Sequence, residues 1–176
     1  MGVPRKGLLV LFIASAISLA GCSATPEEKI ADAFENAYKA FSAEPREANE
    51  SSDGTAFYLP GGYTVEEPSN ERSINITKGS DSFMLTANPN EAGDSTLFYD
   101  LLKSHPQQEW AAEETFEENG RFGFAAVRKI ADDRFELVAS AGSAKLVAVT
   151  EADKIEENLD WMMETVRSID NEKGIN

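Results

Sequence analysis

The sequence predicts an α+β protein. An antiparallel sheet of about six or seven strands is packed by a middle helix and a C-terminal helix, and is preceded by an N-terminal signal and one amphipathic helix. Three observations carry this expectation. Ile155, Leu159, Met162, Val166 and Ile169 step by four, three, four and three, which is the period of one helical face. Asn119-Gly120 joins two runs of strand character, the strongest short hairpin signal. Further turn signals at Lys78-Gly79-Ser80-Asp81, Asp132-Asp133 and Gly142-Ser143 separate short runs rich in β-branched and aromatic residues.

The chain opens with the positive residues Arg5 and Lys6, then the apolar run Leu8 to Leu19, then Ala20 and Gly21 before the lone Cys22. That run is about a dozen residues, short of the ~20 that a spanning helix needs, and has the tripartite form of an export signal. Leu19-Ala20-Gly21-Cys22 resembles the lipobox of bacterial lipoproteins at every position. The resemblance implies a diacylglyceryl group on the Cys22 thiol, cleavage before it, and N-acylation as an optional third chain. Two or more acyl chains hold a protein firmly at a bilayer, since each buried CH₂ contributes about 0.8 kcal/mol. An intrachain disulfide is excluded because no second cysteine exists.

Thr25, Pro26 and Glu28 form a helix-start signature, and Ile30, Phe34, Ala37, Tyr38 and Phe41 fall on one face of a helix over 26–42. Docking on the domain is the preferred placement for this helix; lying at the bilayer is the alternative. The polar stretch 42–54 follows as a linker. A short strand, a Pro60-Gly61-Gly62 turn and extended chain come next, then a hairpin in which Ile74 and Ile76 alternate before the turn and Phe83, Leu85 and Ala87 alternate after it. A middle helix starts after Asp94 or Ser95, with a stripe of Leu97, Phe98, Leu101 and Leu102, and ends at Pro106. Runs over 109–117 and 121–130, 134–140 and 144–150 form a meander, and Thr150 is placed to cap the last helix. The expected organisation is a signal over 1–21, a lipidated Cys22 with helix and linker over 22–54, one α+β domain over 55–170, and a tail over 171–176.

Leu59-Pro60-Gly61-Gly62-Tyr63 ahead of a hairpin, together with the closing Leu159–Ile169 stripe, loosely resembles the PsbP/Mog1-like α/β/α sandwich over about 55–170. The resemblance implies an accessory or interaction module rather than a catalyst.

Charge narrows the partners. Sixteen Lys+Arg stand against 31 Asp+Glu, a net charge of −15, and loss of the segment holding Arg5 and Lys6 makes it −17. Such a surface repels nucleic acid and anionic headgroups, and it favours a soluble monomer. Adaptation to salty or alkaline surroundings and an acid-lined cation site are the other readings of the same charge.

No residue set marks catalysis, a cofactor or a metal. The one histidine, His105, sits at a helix end with no nucleophile marked to partner it, and capping the last carbonyls is its ordinary role. The chain has no Gly-x-Ser-x-Gly elbow and no phosphate-cradling glycine loop. The loop 88–95 groups oxygen ligands but lacks calcium-loop spacing. Glu113, Glu114, Glu117 and Glu118 flank the Asn119-Gly120 hairpin, as a solvated edge or as an acidic knob for a partner. Trp161 lies off the Ile155–Ile169 stripe, so it either packs on a neighbouring segment or anchors a partner.

The expectation is therefore a lipid-anchored extracytoplasmic binding module of the cell envelope with the membrane and an envelope protein as partners. The alternatives are an anchored hydrolase working through paired carboxylates and a small-solute receptor, for which the core is small.

Overall fold

A computed structural model describes residues 24–70, 73–105 and 108–169, with the side chains of 67–70 left aside. The signal over 1–21, Cys22, Pro106 and the tail over 171–176 lie outside the described residues.

Helix α1 spans Pro26–Ser42. Its start is a capping box: Thr25 Oγ1 accepts from the Glu28 N–H, and the Glu28 carboxylate accepts from the Thr25 N–H at 2.8 Å. A two-stranded ribbon follows, β1 (Glu50–Ser52) with β2 (Thr55–Phe57), turning at Asp53-Gly54. The stretch expected as a linker thus carries a strand. It is also fastened: Arg46 pairs with Glu164, and the Asn49 side chain both donates to and accepts from the Leu59 backbone.

The main sheet contains β3 (Thr64–Asn70), β4 (Ser73–Lys78), β5 (Asp81–Ala87), β6 (Ala112–Glu118), β7 (Arg121–Ala131), β8 (Arg134–Ala141) and β9 (Ala144–Glu151). Its order is β3-β4-β5-β9-β8-β7-β6, antiparallel throughout. After β5 the chain runs through the short helix α2 (Leu97–Lys103) to the far edge, β6. It then meanders inward until β9 pairs with β5. Turn chemistry sets these registers. Asn119 and Gly120 both take positive φ (52° and 71°), the geometry of a tight hairpin turn, so Glu118 pairs with Arg121.

The sheet's two faces are filled differently. One presents Ile74, Ile76, Phe83, Leu85, Val127, Leu137 and Leu146 to helices α1 and α3 (Ile155–Ser168), which also pack on each other. The other presents Phe122, Phe124, Ala126 and Val138 to Phe98 of α2. Ala33, Phe34, Ala37 and Phe41 of α1 are buried in the same core as the sheet, so α1 docks on the domain through its apolar face.

Three expectations need correction. Thr150 does not cap α3. The β8–β9 ladder continues through it to Glu151, and its Oγ1 accepts from Asn158 Nδ2 at 2.8 Å. A 3₁₀ turn, Ala152–Lys154, leads into α3 instead, with the Ala152 N–H aimed at Asp133 Oδ1. Leu101 is 48% exposed, because α2 is too short to bury a full stripe and rests on the sheet mainly through Phe98. Tyr38 is 47% exposed, because α1 turns the Ala33, Ala37 and Phe41 face inward and leaves Tyr38 on its flank.

Candidate functional site

The flank of α1 that carries Tyr38 overhangs the outer edge of the sheet. The two enclose a groove of about 800 Å³. Ile30, Phe34 and Tyr38 form one wall, and Ala111, Ala112 and Phe135 supply the apolar surface below. The wall follows from helical spacing: residues 27, 30, 31, 34, 35 and 38 share a side of α1. Phe34 and Phe135 are buried, whereas Tyr38 stacks on Phe116 with ring centroids 5.7 Å apart and keeps its outer face open.

The rim is acidic. Glu27 and Glu35 line it from α1, and Glu113 and Glu114 from β6, with Lys129 the one cation among the lining residues. Glu35 is held by Lys39, whose ammonium beside it lowers the Glu35 pKa. Glu113 accepts from Lys103 Nζ and from the Tyr99 hydroxyl. Strand β6 is the last strand of the sheet, and four of its seven residues are glutamate. Alternation sends Ala112, Glu114 and Phe116 to the α1 face and Glu113, Thr115 and Glu117 to the other.

A second, smaller cavity of about 160 Å³ lies at the other end of α1, lined by Phe41, Ser42, Glu44, Glu118, Arg121 and Arg167 among others. Arg167 is only 8% exposed and has a structural task. Its Nε donates to the Phe41 carbonyl at 2.7 Å and Nη2 to the Ala43 carbonyl, while its guanidinium lies over the Phe41 ring. The cation thus closes the carbonyl end of α1, where the helix dipole is negative. Burial, reinforced by nearby Arg121, lowers its pKa from the usual arginine value.

The other candidates resolve one by one. A His105 ring nitrogen lies 3.0 Å from the Leu101 carbonyl, at the end of α2, which is a capping position. In the loop 88–95, Asn88 Oδ1 accepts from the Asn90 N–H, and Ser95 Oγ donates to Glu91 while accepting from the Leu97 N–H. That loop is helix entry, although the cap residue by position is Thr96. Among the described residues no group of three or more His, Cys, Asp or Glu is placed to hold a metal. Trp161 is 5% exposed, which overturns the partner-anchor reading. Its ring stacks on Tyr63 and Phe83 with centroids 4.3 and 4.8 Å away, and its Nε1 donates to Asn158 Oδ1. On the opposite sheet face, Lys145 lies over the Phe98 ring, and burial lowers its pKa.

Sequence reasoning found the α1 face and the glutamates of β6 but not the groove they share. The two walls are some eighty residues apart in the chain, and no sequence signal joins them. Among the described residues no helix is long and apolar enough to cross a membrane. No protein-family model matches the chain, and no curated protein is significantly similar to it.

Proposed function

We propose that this chain is an extracytoplasmic lipoprotein of the cell envelope, tethered through acyl chains on Cys22, whose folded domain binds a partner without catalysing a reaction. The observation that carries the binding role is the groove between α1 and the β6 edge, with its apolar floor and acidic rim. The groove also lies close to the proposed tether. Pro26 lines one end of the groove and is four residues from Cys22, so that end stands within about 14 Å of the lipid attachment even with the intervening stretch fully extended. A partner bound there would be held at the bilayer surface. The acidic surface favours a partner carrying positive charge over direct contact with anionic headgroups.

Fatty-acid labelling of cells that produce the protein, followed by membrane fractionation, tests the tether. The protein should label and pellet with membranes, and Cys22→Ser should do neither. A Cys22→Ser chain that labels and pellets like the parent would overturn the proposal.

A further inference from the structure

Three features meet at β6. As the outermost strand, it directs alternate N–H and C=O groups away from β7, and among the described residues no backbone hydrogen bond reaches them. Beside its first half lies the apolar groove, over the face that carries Ala112 and Glu114. Its other face carries Glu113, Thr115 and Glu117. Glu114 and Glu117 are exposed, and neither has an ion-pair partner among the described residues.

We infer that this edge accepts an extended segment of a partner protein as an eighth strand. Side chains at alternate positions of that segment are apolar and enter the groove against Ile30, Phe34 and Tyr38. The side chains between them include Lys or Arg and meet Glu117 on the opposite face, where Glu113 is already held by Lys103. The inference rests on the groove being the binding surface proposed above, and it specifies the chemistry of the occupant.

Backbone pairing supplies a generic affinity, and the alternation of the segment supplies specificity. The charge of β6 disfavours a second copy of this chain. Antiparallel self-pairing centred on Thr115 would set Glu113 directly opposite Glu117 twice, and like charges directly opposite are destabilising. A lipid surface is disfavoured by the same acids, and a nucleic acid more so. A cationic, alternately apolar strand satisfies the open backbone, the groove and the charge together.

The test uses the full processed protein in phosphatidylcholine nanodiscs and four short peptide probes, read by fluorescence anisotropy. The first is an acetylated octapeptide of alternating Lys and Val. The second has the same composition in two blocks, the third is the alternating peptide with alternate backbone nitrogens methylated, and the fourth has Glu in place of Lys. Only the first should bind tightly. Tyr38→Lys and Glu117→Lys, both surface changes, should each weaken it about fivefold or more, the scale on which repulsion replaces one exposed attraction. Backbone amides of 112–118 should gain hydrogen-exchange protection when it binds. Failure of the alternating peptide to bind, or equal binding by the block, methylated or Glu peptides, overturns the inference. Equal binding to the two surface variants does the same. Repeating the measurement on Cys22→Ser separates the two claims: peptide binding does not depend on lipidation, so loss of the anchor leaves this result intact, and the reverse holds.

Discussion

Gly123→Ala tests how tightly α1 is locked to the sheet, because Gly123 sits in β7 directly beneath Phe41. A Cβ built there would lie 2.6 Å from Phe41 Cε2, 2.8 Å from Phe41 Cδ2 and 2.8 Å from the Ser140 carbonyl oxygen. Ordinary contact distances begin about 0.6–1 Å further out. The Phe41 ring has little room to retreat, since Phe116 packs at 5.6 Å and the Arg167 guanidinium at 5.2 Å. Ser140 is backbone of the paired strand β8, opposite Phe124, and cannot move without disturbing the ladder. Overpacking of this kind costs about 1–3 kcal/mol, and replacing glycine in a strand returns about 0.5–1 kcal/mol. Together these give a loss of up to about 2.5 kcal/mol, centred on about 1 kcal/mol, in urea unfolding at unchanged slope. Phe41→Leu removes the ring edge that clashes, so the double variant Phe41→Leu/Gly123→Ala should lose less than the two singles added together. Gly61→Ala is the internal control, since nothing lies within 4 Å of its Cβ position and its φ is ordinary; it should be neutral or slightly stabilising. A neutral Gly123→Ala, or strict additivity with Phe41→Leu, would refute the claim that α1 is pressed onto β7.

Other outcomes follow from the same packing. Asn158→Ala strips the buried Thr150 hydroxyl and the Trp161 indole N–H of a partner, and should cost about 1–3 kcal/mol in thermal or urea unfolding. In a Trp110→Phe background, Trp161 emission should resist quenching by acrylamide; free quenching would contradict its burial against Tyr63 and Phe83. Gly142→Ala should destabilise, because its φ is +51° and a Cβ would meet the Gly93 and Ala92 backbone at 2.7–2.9 Å, which hydrogen-exchange protection of the Phe122 amide would also report. Burial, reinforced by Glu164 and opposed by Arg46, raises the Asp160 pKa. The folded chain therefore keeps this proton at pH values where the unfolded chain has released it, and the group's contribution to stability falls as pH rises from 3.8 through the raised value. Asp160→Asn should accordingly be more stable than the parent at neutral pH, with the gap closing below pH 3.8; a variant that is less stable at neutral pH would contradict this.

Local chemistry made much of the fold legible. Asn119-Gly120 can adopt two positive φ values in succession, so the β6–β7 register was readable from two residues. Thr25, Pro26 and Glu28 satisfy the first amides of α1 whatever lies beyond them. The Ile155–Ile169 stripe is buried because α3 faces the sheet along its whole length. Thr150 was misleading because a threonine suits a strand as well as a cap, and only the β8 partner decides between them. Trp161 lay off the stripe yet is buried, since α3 packs on two neighbours and its apolar arc is wider than one row. The groove was not legible at all, because it exists only where the flank of α1 meets an edge strand set by the long α2 crossover.

The central claim is that Cys22 ties this domain to a membrane. Mass spectrometry of the N-terminal peptide of the protein recovered from membranes tests it most directly. The account predicts that the first residue is Cys22 carrying a diacylglyceryl thioether, so that α1 begins within four residues of the lipid. A chain that begins elsewhere, or with an unmodified Cys22 thiol, would contradict it.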